Sequence, residues 1–146
     1  MEAFLANYGE MLLESHLQIV FKKKTNFVGS STLNFNLKLI RLCFNVPALR
    51  AKLIPFVDTI LYEIVIPLLV MSNKDIQQFE NDPIEYIRSL FDFLESIFMP
   101  KNTTIELLVR ICKIKSKKGK KEHPDYLVPF LTFATNNMNE YNEQIA

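Results

Sequence analysis

Apolar residues recur at spacings of three and four along nearly the whole chain, in runs separated by short polar or proline-marked breaks. The first run, 3–24, sets Phe4, Tyr8, Met11, Leu12 and Ile19 on one stripe, widened by Leu5 and Val20. It closes on Lys22, Lys23 and Lys24, cations that suit the negative end of a helix dipole. A polar connector at 25–32 leads to a second helix, 33–45, with Leu33, Leu37, Ile40 and Phe44 on one face. Pro47 is pre-organised for a first turn and opens a third, whose stripe is Leu49, Leu53, Phe56, Ile60, Ile64, Leu68 and Met71. Pro55 and Pro67 fall inside that pattern and each removes a backbone donor, so the spacing predicts a bent helix or two short ones.

Residues 72–81 are rich in acids and amides and read as a loop. Asp82-Pro83-x-Glu85 then makes a compact helix start: Asp82 caps, Pro83 takes the first helical position, and Glu85 can reach back to the cap's amide. The helix it opens shows Ile84, Ile87, Phe91, Leu94 and Phe98, and is stopped by Met99-Pro100-Lys101-Asn102. Thr103 or Thr104 caps a fifth helix holding Ile105, Leu108, Val109 and Cys112, with Ile114 a further candidate for its stripe. A basic connector at 113–121 precedes a last helix from Pro124, with Leu127, Phe130, Leu131, Ala134 and Met138, fading into a polar tail at 136–144. Helical segments joined by short polar connectors predict an all-α fold. The pair spanning 33–71 has about the length of a HEAT repeat, and 103–140 offers a second such unit, with 83–98 as a helix between them. The organisation expected is one helical region over 1–146: a leading helix and connector to 32, a helical pair and acidic loop over 33–82, and a helix plus helical pair over 83–146.

Composition narrows the class without changing the outline. A length of 146 residues is about one domain's worth and enough to bury a core. The formal net charge of +1 argues against a strongly basic nucleic-acid binder, and 49% apolar content argues against disorder. Three glycines are too few for a turn-rich β fold. Cys43 and Cys112 lie far apart inside apolar patterns and read as buried reduced thiols. The start lacks a basic stretch followed by an apolar run, so no signal peptide is expected, and 60–71, the most apolar segment, carries Glu63 and Pro67 and is too short to span a bilayer. The expectation is a soluble intracellular protein.

Candidate chemistry is sparse. His16 stands beside Glu14 and Ser15, but neighbours on a helix point to different faces, so a hydrolytic triad is excluded. No phosphate-binding glycine motif and no Cys/His cluster occurs, so no catalytic residue, cofactor or metal is expected. The run 113–121, with Lys117, Lys118, Lys120 and Lys121, is a candidate partner-contact patch, although a solvated connector is the simpler reading and no aromatic interleaves it to stack bases. Asn102-Thr103-Thr104 matches a glycosylation acceptor and reads more simply as a cap. Asp75, Glu80 and Asp82 are candidate contacts for a basic partner, with capping of the next helix as the competing role for Glu80 and Asp82.

One string goes further. Asp75-Ile-Gln-Gln-Phe79-Glu-Asn-Asp-Pro-Ile-Glu-Tyr-Ile-Arg88 resembles a segment of the importin-beta superfamily (karyopherins), nearest the branch of importins seven and eight. Leu53-Ile-Pro55-Phe-Val-Asp-Thr-Ile60-Leu-Tyr-Glu-Ile-Val65-Ile-Pro67-Leu-Leu resembles the helix those receptors place before it. Two features depart from the family: Phe79 stands where Trp is frequent, and the length holds only about three repeats of roughly 40–47 residues. The resemblance therefore implies a partial chain, without the amino-terminal repeats that mainly engage the GTPase Ran. It also implies an all-α, HEAT-like or armadillo-type solenoid of about three helical pairs, and a nuclear transport receptor, not an enzyme. Such a receptor binds protein cargo in Ran-dependent import, contacts nucleoporins, and moves between nucleus and cytoplasm. A HEAT-repeat scaffold or adaptor without a transport role is the alternative.

Overall fold

A computed structural model describes residues 2–22, 28–92, 99–115 and 124–145, with the side chains of 2–7 and 141–145 also left out of account. Every regular element among the described residues is helical: α1 (Glu2–Lys22), α2 (Ser30–Cys43), an interrupted α3, α4 (Asn73–Asn81), α5 (Pro83–Phe91), α6 (Pro100–Cys112) and α7 (Leu127–Ile145). The all-α architecture expected from the periodicity, with the roughly three helical pairs that the resemblance implies, is the one observed among the described residues. Contacts divide the chain into two compact units, Met1–Leu107 and Leu108–Ala146.

In the first unit the core is a continuous apolar seam. Leu33, Leu37, Ile40 and Phe44 of α2 are buried as the spacing predicts, together with Leu13, Leu17 and Val20 of α1. α3 supplies Leu49, Leu53, Val57, Ile60, Leu61, Ile64 and Val65. Its backbone is broken where the prolines demand it. After Pro47–Leu53 a 3₁₀ turn, Ile54–Phe56, takes in Pro55; after Val57–Ile60 a π turn, Leu61–Val65, widens the helix before Pro67 enters the final segment, Ile66–Leu69. A proline lacks the N–H for an i→i−4 bond and crowds the preceding turn, and altered pitch on either side relieves both problems. By length and composition the stretch Pro47–Asn81 could cross a bilayer. About 33% of its most apolar window is buried inside the protein, while Ile54, Phe56, Val70 and Met71 are exposed.

Polar cross-links fix how the helices lie. His16 Nδ1 of α1 donates to Asn36 Oδ1 at 2.7 Å, and Asn36 in turn donates to the Thr32 carbonyl at 2.7 Å. Lys52 reaches Glu10 at 2.6 Å, tying α3 to α1. The start of α6 is tied to α2 by the Thr103 hydroxyl on Asn34 Oδ1 at 2.5 Å, fully buried, and by Arg41 on Glu106 at 2.6 Å. In the second unit Ile111 and Ile114 are buried, and the Asp125 amide bonds the Ile114 carbonyl at 3.0 Å just ahead of α7.

Several expectations are corrected. The segment 72–81 is a helix, not a loop. Ser72 and Asp75 form a reciprocal capping box, a Ser-x-x-Asp pattern that the amide-rich composition disguised. α6 already begins at Pro100, so neither Thr103 nor Thr104 is its cap. Both are buried within it, and the Thr104 hydroxyl donates back to the Pro100 carbonyl at 2.7 Å. α7 runs on through the polar tail to Ile145. The stripes of α1 and α6 were also set in the wrong register. Tyr8, Met11 and Leu12 are exposed while Leu13 and Leu17 are buried, and Ile105 and Val109 are exposed while Leu107 is buried. On α5 the expected core face, Ile84, Ile87 and Phe91, points outward and Tyr86 is the buried residue. Leu94 and Phe98 lie outside the described residues. Cys43 and Cys112 are free but only half-buried; burial still pushes both thiols up from their ordinary pKa and keeps them poor nucleophiles.

The register of α6 gives a direct check. Leu107→Ala should destabilise by about 2–5 kcal/mol and Ile105→Ala by less than about 1 kcal/mol in urea unfolding; equal costs would restore the stripe expected from spacing.

Candidate functional site

The segment carrying the long string folds as an elbow built around Asp82. Its amide donates to the Gln78 carbonyl at 2.9 Å and closes α4, while its carboxylate accepts the Glu85 amide at 2.9 Å and opens α5, with Pro83 in the first turn. One residue thus ends one helix and starts the next. Glu85 does not complete a capping box as expected; its carboxylate instead takes Arg88 at 2.9 Å. The Phe79 ring stands edge-on to Tyr86, centroids 5.7 Å apart at 81°, and locks the two helices together. Tyr86 is 93% shielded (7% exposed), and the Ser89 hydroxyl caps its carbonyl at 2.8 Å.

At the other end of α4, Asp75 Oδ2 accepts the Ser72 amide at 2.8 Å and the Ser72 hydroxyl at 2.7 Å, and the Asp75 amide donates to that hydroxyl at 3.2 Å. The Ser72 hydroxyl bond holds the Asp75 carboxyl below the usual carboxylate range, against a smaller opposing effect of partial burial. The Ser72 amide and the ammonium groups of Lys101 and Lys74 act in the same lowering direction.

Between α4, α5 and the start of α6 lies an open cleft of about 430 Å³. Lys74, Asp75, Glu85 and Lys101 supply its charges, and Tyr86, Leu90 and Met99 its apolar wall. Of the acids expected to contact a partner, only Asp75 lines this cleft; Asp82 sits at the elbow and Glu80 is exposed on α4. Lys117, Lys118, Lys120 and Lys121 lie outside the described residues. Lys74, Lys101 and Met99 were passed over because the first two stand among better-marked acids and breaks, and the third was read only as a helix stop. Among the described residues no group of His, Cys, Asp or Glu could hold a metal ion. Glu14 and Ser15 are exposed beside His16, which is engaged with Asn36. The arrangement offers an open surface with mixed charge, suited to holding another molecule.

The all-helical architecture agrees with what comparison with known proteins finds. Over 97% of its length the chain is 25% identical to an importin beta-like SAD2 homolog of Arabidopsis thaliana, covering 13% of that protein. It is 26% identical over 94% of its length to nonsense-mediated mRNA decay protein 5 of Saccharomyces cerevisiae, covering 14%. No family model matches the chain. No solved structure matches it significantly. The two similarities support the importin-beta superfamily, and the chain spans about one part in seven or eight of the relatives it matches.

The lowered Asp75 carboxyl sets a pH dependence. A depressed folded value means the cap contributes above the ordinary carboxylate range and is lost as pH falls through the folded value. Protection of the α4 amides from exchange should therefore hold at neutral pH and fade below about pH 4. Ser72→Ala should remove about 1 kcal/mol of local protection at pH 7. An Asp75 titration by NMR at or above the ordinary range would contradict this.

Proposed function

We propose that this chain is a cargo-binding segment of a nuclear transport receptor acting in Ran-dependent protein import. The observation that carries the reading is similarity to an importin beta-like protein along almost the entire chain, not in a short motif. The helical architecture supports it physically. In stacked helical pairs each unit contacts its neighbours, small rotations add along the stack, and a binding face changes shape without covalent chemistry. The role is binding, with no cofactor and no catalytic residue. The whole of 1–146 then acts as one repeat region, with the elbow at Asp82 joining successive helices. Asp75, Glu80 and Asp82 together with Lys117, Lys118, Lys120 and Lys121 are the proposed partner contacts. Of the three acids, Asp75 and Asp82 also hold helix ends, and Glu80 is exposed on α4. Import cargo, Ran and nucleoporins are the proposed partners, and nucleus and cytoplasm the compartments.

The test is an exchange assay. The full-length gene product that carries this segment is immobilised, loaded with a nuclear protein cargo and offered Ran-GTP or Ran-GDP. Release by the GTP form alone supports the reading. Retention of cargo and Ran-GTP together, with neither altering the other, identifies an adaptor, and binding of neither overturns the assignment to this segment.

A further inference from the structure

The cleft between α4, α5 and α6 has a charge pattern opposite to the one its sequence advertises. Its two acids are already engaged: Asp75 takes both Ser72 donors, and Glu85 takes Arg88. Its two lysines form no ion pair or hydrogen bond among the described residues; Lys74 and Lys101 act on Asp75 only through space. The lining holds two lysines and two carboxylates, and because Arg88, outside the lining, takes the charge of Glu85, the two lysines are set against Asp75 alone.

Their positions sharpen the point. Lys74 is the second residue of α4 and Lys101 the second residue of α6. Both helix starts carry partial positive charge, where a lysine is locally unfavourable by roughly 0.3–1 kcal/mol. Two breaches of one local rule converging on a single cleft mark that cleft as functional. Between them, half-exposed Leu90 and Met99 and the buried Tyr86 form an apolar floor. At about 430 Å³ the cleft has room to seat one side chain of a segment laid across it.

We propose that this cleft docks an extended acidic segment of a partner protein, its carboxylates on Lys74 and Lys101 and one apolar side chain against Tyr86, Leu90 and Met99. The inference rests on the reading of this chain as a protein-binding helical repeat, and names the chemistry that one of its surfaces accepts.

The probe is a fluorescein-labelled peptide of aspartates and glutamates around a central leucine, titrated with the full chain by anisotropy. Controls carry lysines for the acids, or serine for the leucine. Saturable binding of the acidic leucine peptide is expected, weakened by salt. Lys74→Glu with Lys101→Glu should weaken it by about tenfold or more, since two close charge pairs of about 0.7 kcal/mol each give that factor. Both substitutions place an acid at a helix start, which favours folding, so an unchanged thermal unfolding curve is expected alongside the loss. Leu90→Ala should weaken the leucine peptide and leave the serine peptide unaffected. Equal binding of the lysine peptide, or no response to the charge reversals, overturns the proposal. So does a set of NMR shift changes lying away from α4, α5 and α6. Absence of peptide binding in a chain that still releases cargo to Ran-GTP overturns this inference alone. Peptide binding without that release supports the cleft while overturning the transport reading.

Discussion

The seam of buried side chains along α3 is the constraint on which the first unit depends. Two prolines leave α3 as helical pieces of a few residues each, far below the length at which a helix holds itself in water. Such a backbone persists only if tertiary burial stabilises it. From Leu49 to Val65 every turn contributes at least one residue to the core, and α1 packs against both α2 and the first segment of α3. Changes of pitch keep that stripe aligned. Where a straight α-helix would drift, the 3₁₀ and π turns re-phase it, so Val57, Ile60, Leu61, Ile64 and Val65 all face inward across the breaks. The prolines set where the helix must deform, and the core sets how.

How much of this was legible differs element by element. α2 was readable because Leu33, Leu37, Ile40 and Phe44 keep one helical spacing, and Phe35 and Leu42 fall off that face and are exposed. α1 was not, since Met11, Leu12 and Leu13 are consecutive and several registers satisfy the same spacing; only the partner helix chooses Leu13. Ile105, Leu107, Leu108 and Val109 pose the same ambiguity in α6. α4 was hidden for another reason. Its sequence is polar almost throughout, and its stability comes from the Ser72–Asp75 box and the Phe79–Tyr86 contact instead of from a buried stripe. Asp82 as a cap was legible from residue type and spacing alone. That Glu85 would turn to Arg88 was not, because both options satisfy the same carboxylate.

The outward apolar residues of α5 belong to the same physical picture. Phe91 is 82% exposed and Ile84 72%. In helical-repeat proteins a helix pair has two apolar faces, one for its own partner helix and one for the neighbouring pair. Sequence periodicity reports both faces with equal weight and cannot tell which is covered within 146 residues. The clean three-four alternation on α5 was therefore a true signal of an apolar face, read as the wrong one of two.

Charge at the cleft follows a similar logic. Acidic residues in a sequence suggest a basic partner, but a carboxylate that caps a helix has its oxygens already occupied by backbone donors and its charge balanced by the helix end. Asp75 and Asp82 are of that kind. A lysine at a helix start has a different status: the helix end repels it, and for Lys74 and Lys101 the through-space pull of Asp75 is what offsets that repulsion. What a surface offers to a partner is therefore set by the charges its own backbone does not use, and in this cleft those are Lys74 and Lys101.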